Sequence, residues 1–308
     1  MLLNRRFLTA VAALSLSPSA APQSPSSNFL PANIRVATSV VQVPAHVTGA
    51  QGAPVTNLAK EDFRIFEDGI EQSITYFANE ETPASVGFLF DASASMRNKM
   101  HQSAEAAAAF FGTANQADEF FLVEFNEHVK LSVPFTTDAK DVYEHVAHAH
   151  PLGRTSLLDA IHLALVQMKR AKHTRKAIVI VSDGGDNRSR YTLSQIKSAM
   201  KESEIQVYSM GIFDPEDQRK RTPEEKNGPT LLSDLSKESG GKHYSVDNLD
   251  DLPSIAAHIG EELRSQYVLG YALPSSAADG KYHHIEVKLT SAPELDLRYR
   301  RGYYAPAQ

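Results

Sequence analysis

The sequence predicts an α/β fold: an open, doubly wound, mostly parallel sheet with helices on both faces, plus a small β-sandwich contributed by the two ends of the chain. Three observations predict it. Continuous apolar runs at 86–90, 120–123, 177–181 and 205–212 read as strands buried on both faces. Amphipathic stretches alternate with those runs, the pattern of strands joined by crossover helices. Before residue 80 and after residue 271 the hydrophobic period drops to two, the mark of half-buried strands.

Taken in order, Arg5 and Arg6 precede an apolar run over 7–16 and small residues ending at Ala21, the layout of an export signal at 1–21. A buried amino-terminal helix is the alternative, and the Arg pair leaves Sec and twin-arginine export both open. Residues 22–32, rich in Pro and Ser, read as a linker. Over 33–80, Ile34, Val36, Val41, Val43, Val47, Phe63, Ile65, Ile70, Ile74 and Tyr76 follow the period-two pattern. Asp68-Gly69 between two such runs is a hairpin turn, because both residues accept positive φ.

The central unit is expected over 84–270, with helices at 99–113, 138–148, 156–171, 192–203, 229–239 and 251–265. In the third of these, Leu158, Ile161, Leu165 and Met168 recur one turn apart. Residues 128–134 alternate instead and read as an antiparallel edge strand beside 120–123. Over 271–306 a turn at Asp279-Gly280 is followed by two alternating sets, Ile285, Val287, Leu289 and Leu295, Leu297, Tyr299. Each β block is short for independent stability. The economical arrangement is one sandwich built from both blocks with the central unit inserted; two independent hairpin units are the alternative.

Composition removes several function classes. Thirty-one basic against 37 acidic residues, a net charge of −6, leave no broad basic surface for nucleic acid. The absence of Cys excludes thiolate metal sites, disulfides and cysteine catalysis. After the amino-terminal segment no apolar run reaches about 18 residues, so no membrane span is expected.

The chemistry concentrates at the ends of the apolar strands. Asp91-Ala92-Ser93-Ala94-Ser95 follows the first of them directly, and ligands of an open α/β sheet gather at the carboxyl ends of its strands. One carboxylate and two hydroxyls at alternate loop positions can converge on a hard cation, which wants oxygen donors. The plain alternative is that Ser95 only caps the next helix. Two more segments reach the same edge: Gly153-Arg154-Thr155-Ser156-Leu157-Leu158-Asp159 enters the next long helix, and Val181-Ser182-Asp183-Gly184-Gly185 ends a fully apolar strand.

This combination resembles the von Willebrand factor A family and its metal-ion-dependent adhesion site, over residues 84 to 270 and with all three segments in order. The resemblance implies a Rossmann-like domain with Ser93, Ser95 and Thr155 as direct ligands, and with Asp91 and Asp183 acting mostly through water. It implies Mg²⁺, with Mn²⁺ or Ca²⁺ as substitutes, and a protein partner whose Asp or Glu completes the coordination, in adhesion or envelope assembly. Ala94 stands where many relatives have Gly, and Ser182 replaces a common Thr; neither departure removes a ligand. The flanks, at 58–63, 66–69, 266–271 and 301–304, are similar to exported bacterial proteins, notably of Acidobacteria, that carry this domain with extra β segments.

The loop 214–228 is long and charged and leaves the same sheet edge, so Asp214, Glu216 and Asp217 are expected to border the partner face together with Arg154 and Gly184. The competing function class is a metal-assisted hydrolase or phosphotransfer enzyme using Asp91. Against it, Ser93 stands two residues after Asp91 where a haloacid-dehalogenase-like site would want a second Asp, and no G-x-S-x-G elbow occurs. His145, His148 and His150 read as solvated helix-end residues, as do the cations at 169–176. Gly240-Gly241-Lys242 reads as a helix cap rather than a phosphate loop.

Overall fold

The computed structural model describes residues 40–49, 52–79, 82–213, 223–273, 279–291 and 294–305. The expected leader, the linker and the pair Ile34 and Val36 lie outside these residues, as do Asp214, Glu216 and Asp217.

The amino-terminal strands are β1 (Val40–Thr48), β2 (Phe63–Glu67), β3 (Ile70–Gln72) and β4 (Ile74–Ala78). The central unit then runs β5 (Ala84–Asp91), α1 (Met100–Gly112), β6 (Glu119–Phe125), β7 (Val129–Thr136), α2 (Ala139–Ala147) and α3 (Leu157–Met168). It continues through β8 (Arg175–Ser182), α4 (Leu193–Glu202), β9 (Gln206–Ile212), α5 (Pro223–Ser239), β10 (His243–Val246) and α6 (Leu252–Arg264). Four strands follow: β11 (Tyr267–Ala272), β12 (Tyr282–Leu289), β13 (Asp296–Tyr299) and β14 (Gly302–Tyr304).

The central sheet has the order β10-β9-β8-β5-β6-β7, parallel throughout except for β7, which runs antiparallel to β6 at one edge. Every residue of β5 is buried, because alternate side chains enter two different cores. Phe88 and Phe90 pack with Phe110 and Phe111 of α1, Val142 of α2 and Ile259 of α6. Leu89 faces the other way, into Ile161 and Leu165 of α3, Ile196 of α4 and Leu232 of α5. Each such side chain contributes about 1.5–3 kcal/mol by leaving water, which is why the sequence shows unbroken apolar runs here. Gly87 is fixed by packing: a Cβ there would lie 2.3 Å from Cζ of Phe121 on the adjacent strand.

The helix after β5 covers one face and the helix after β8 the other. Their connections therefore diverge and leave a crevice at the carboxyl ends of these neighbouring strands. That crevice positions the site described below.

Two features differ from the pattern read in the sequence. The sixth central strand, β10, has no sequence signal, because His243 and Tyr244 are half-buried and Ser245 exposed on a four-residue edge strand. Helix α5 starts at Pro223, so 223–228, expected to belong to the charged loop, is helical. Proline suits a first helical turn because its φ is preset and its missing N–H has no partner there. Gly240 and Gly241 do cap α5: Gly240 has φ +79°, and Gly241 N–H donates to Ser236 O at 3.1 Å.

The terminal strands interleave. One sheet has the order β13-β1-β11-β4 and the other β14-β12-β2-β3, so strands from both ends of the chain pair with one another in each. Val43, Ala45, Phe63, Ile65, Tyr267, Leu269, Ile285 and Val287 share one core between them. The Asp68-Gly69 turn has φ +48° and +83°, the conformation of a tight two-residue hairpin. Strand β11 crosses the boundary expected at 270 and pairs with β1 and β4, which makes α6 the last element of the central unit.

A buried polar cluster joins the two parts. His46 of β1 lies 2.9 Å from Gln206 Nε2 and 3.0 Å from Tyr208 OH on β9. Glu262 of α6 accepts from Tyr244 OH at 3.0 Å and pairs with Arg298 of β13 at 2.8 Å. Burial opposes ionisation of Glu262, yet the positive charge of His46 when protonated and of Arg298 throughout holds its pKa down at about 2. Burial likewise lowers the pKa of His46.

Arg298→Ala leaves Glu262 buried without its cation and should cost about 3–5 kcal/mol in denaturant unfolding; a loss under about 1 kcal/mol would show that the junction does not depend on this pair. Because the Glu262 pKa is depressed from 4.5, its contribution is present above about pH 4.5 and is lost as the pH falls toward about 2.

Candidate metal centre

Three loops are tied together at the carboxyl edge of β5 and β8. In the first, Ala92 N–H donates to Phe125 O at 2.8 Å and Ala94 N–H to Gly153 O at 3.1 Å, while Leu152 N–H returns to Ala92 O at 2.9 Å. The second and third meet at Thr155: its carbonyl accepts from Asn187 and Arg188 N–H at 3.1 and 3.0 Å, and its own N–H donates to Asn187 Oδ1 at 3.1 Å. Asp159 of α3 accepts from Arg190 and Tyr191 N–H at 2.8 and 3.1 Å, which clamps the end of the third loop onto the helix.

These ties set Asp91, Ser93, Ser95 and Asp183 at one edge of the sheet, with Thr155 on the loop that is bonded to both neighbours. Asp91, Ser93, Thr155 and Asp183 are 0, 1, 4 and 3% exposed, and Ser95 is half-buried. Ser93 Oγ and Ser95 Oγ are 3.1 Å apart, and Ser93 N–H donates to Asp91 Oδ1 at 2.9 Å. Asp91 lies at the end of β5 abreast of Ser182 of β8, since Phe90 pairs with Val181. Ser182 Oγ donates to Asp91 Oδ2 at 2.5 Å and accepts from Gly184 N–H at 2.9 Å, so this serine organises the loop. Gly185 N–H donates to Asp183 Oδ1 at 3.2 Å.

Burial, and then the charge of Asp183, push the Asp91 pKa up to about 7. Among the described residues Lys99 opposes this concentration of negative charge: itself buried, it has Nζ 3.4 Å from Asp183 Oδ2. Lys99 does not stand out in the sequence, where a basic residue entering a helix reads as solvated. Its spacing, one turn after Ser95, is the signal that could have found it.

The donor set fits a hard divalent ion. It offers only oxygen, from two carboxylates and three hydroxyls, and a dication relieves the like-charge burial that raises the Asp91 pKa. Among the residues expected to face a partner, Arg154 is exposed. Gly184 is buried: at φ +77° it packs on α5, where a Cβ would lie 2.6 Å from Gly228 Cα.

Residues 86–185 match the family model of the von Willebrand factor type A domain. Over this stretch the chain is similar to a von Willebrand factor type A domain. It is 28% identical over 176 residues to inter-alpha-trypsin inhibitor heavy chain H2 of Mus musculus, covering 50% of this chain and 19% of that protein. It is 25% identical over 168 residues to an uncharacterized protein of Borreliella burgdorferi, covering 50% of this chain and 49% of that one. The match thus spans about half or less of these curated relatives.

Among solved structures, von Willebrand factor type A from Catenulispora acidiphila has the same fold, with a TM-score of 0.51 at 13% identity, covering 80% of this chain and 74% of that one. Proximal thread matrix protein 1 of the mussel byssus, with a zinc occupied MIDAS motif, has a TM-score of 0.50 at 14% identity, covering 65% and 50%. Von Willebrand factor type A domains act in general as protein-interaction modules.

Two substitutions test the electrostatics. Asp91→Asn should raise the melting temperature of the metal-free protein at pH 8, by about 2–4 °C per kcal/mol of relieved repulsion, and erase stabilisation by Mg²⁺; a lower melting temperature with Mg²⁺ stabilisation intact would contradict the site. Lys99→Met removes a cation beside the ion's place and should tighten Mg²⁺ binding at least about tenfold by calorimetry; unchanged or weaker binding would mean that Lys99 does not compete.

Proposed function

We propose that this protein is an exported, metal-dependent protein-binding module in which a divalent cation at the sheet edge is completed by an acidic residue of a protein partner. What supports the reading is the buried pair Asp91 and Asp183 beside the adjacent hydroxyls of Ser93 and Ser95, on loops hydrogen-bonded to the one that carries Thr155. Ser93, Ser95 and Thr155 would hold the ion directly, with Asp91 and Asp183 balancing its charge around them. The all-oxygen set favours Mg²⁺, with Mn²⁺ or Ca²⁺ as substitutes. When bound, the ion supplies an electrophile for a carboxylate, because two acidic groups only just neutralise it and the hydroxyls add no charge.

The rim suits such a partner. Arg97, Arg154 and Arg188 are exposed on the three loops and would favour an approaching anionic surface. Leu152 is 66% exposed beside them and would give an apolar contact. Binding is favoured over nucleophilic catalysis because Ser93 Oγ is hydrogen-bonded to Ser95 Oγ, not to an imidazole that could act as its base. Export rests on the Arg5 to Ala21 pattern, and among the described residues no helix is long and apolar enough to cross a membrane. Adhesion and envelope assembly are the processes this reading favours.

Mg²⁺ at ten times its dissociation constant should stabilise the wild type by about 1.4 kcal/mol, and Asp91→Ala should abolish the effect. Envelope proteins retained by the immobilised wild type in Mg²⁺ should elute with EDTA and be absent from an Asp91→Ala column. Retention that is indifferent to EDTA and to Asp91→Ala would overturn the reading.

A further inference from the structure

We propose that Glu67, Asp68 and His283 form a second cation site, in the terminal sandwich, of the class that takes a borderline transition-metal ion such as Zn²⁺. Glu67 ends β2, Asp68 opens the turn after it, and His283 lies near the start of β12, the strand paired with β2. His283 Nδ1 is 2.8 Å from Asp68 Oδ2 and 3.3 Å from Glu67 Oε1. One ligand atom from each of the three residues lies within 4.8 Å of the others. The Asp68 carboxylate is held in place from both sides. Its Oδ1 accepts from His284 N–H at 2.9 Å, and the Asp68 N–H donates to His284 O at 2.9 Å.

The other face of the imidazole is also arranged. His283 Nε2 lies 3.2 Å from Asp279 Oδ1, and the ring stacks on Tyr303 at 5.7 Å between centroids. A carboxylate on one ring nitrogen leaves the other free for a metal and fixes the plane of the ring. Lys281 shares Asp279 from outside, 3.6 Å from its Oδ2.

The Glu67 carboxylate is also held in place. It is 9% exposed, and the hydroxyls of Tyr271 and Tyr303 hydrogen-bond it from the buried side. A buried carboxylate is costly without a counter-charge, and a bound ion would supply one. The donor set differs from that of the sheet-edge centre by its ring nitrogen, which shifts preference from Mg²⁺ toward Zn²⁺ and Co²⁺. Such an ion would cross-link strands far apart in the chain and pin the two ends of the protein together.

The test uses full-length Asp91→Asn protein, to silence the sheet-edge centre, with Co²⁺ as the probe. The expected result is one equivalent of Co²⁺ per chain with a visible ligand-field absorption band, and a rise in melting temperature that Zn²⁺ reproduces. Adding Glu67→Gln or His283→Gln should weaken binding at least tenfold, with the far-ultraviolet circular dichroism of the fold retained. Asp279→Asn should weaken it less. No Co²⁺ band in the Asp91→Asn protein, or a band unaffected by both Glu67→Gln and His283→Gln, would overturn the proposal and leave His283 as a protonated bridge between carboxylates.

Discussion

Two carboxylates buried at the ends of adjacent strands are the constraint around which the edge of the central sheet is arranged. Strands β5 and β8 bury both faces, so Asp91 and Asp183 at their ends cannot turn to water. Like charges held together away from water repel, and that repulsion adds to burial in raising the Asp91 pKa. The local structure answers that repulsion: the N–H groups of Ser93 and Gly185, the hydroxyl of Ser182 and the ammonium of Lys99 all point at these oxygens. The loops are therefore organised before any ion arrives, and the hydroxyls of Ser93 and Ser95 stand side by side as a result.

The terminal sandwich applies the same physics differently. Its strands are short, and it gains a core only because β1 and β2 find partners from the other end of the chain. At its junction with the central unit the buried charge on Glu262 is balanced from within, by Arg298. At the outer turn three carboxylates surround one histidine.

Much of this was legible in the sequence because burial leaves a period. Strands buried on both faces read as unbroken apolar runs, and the helices between them read from spacing such as Leu158, Ile161 and Leu165. Strand β10 was not legible, since four half-polar residues at a sheet edge carry no period. Nor was strand pairing in the sandwich, because alternation tells which face is buried but not which strand lies alongside. The five candidate oxygen donors stand out because they fall in three short loops next to obvious strands. Lys99 was missed because a sequence does not mark a lysine as buried and only its spacing from Ser95 points to it, and Gly184 reads as surface because the approach of Gly228 is a tertiary fact. The cluster at His283 joins residues more than two hundred positions apart and has no local signature.

The most direct measurement is anomalous diffraction from crystals of the full chain grown in Mn²⁺. A peak is expected at the point shared by Ser93 Oγ, Ser95 Oγ and Thr155 Oγ1, with Asp91 and Asp183 around it and the Lys99 ammonium displaced from Asp183. Density for Lys99 at that point, with no anomalous peak at the edge of the sheet at saturating Mn²⁺, would contradict a cation-binding sheet edge.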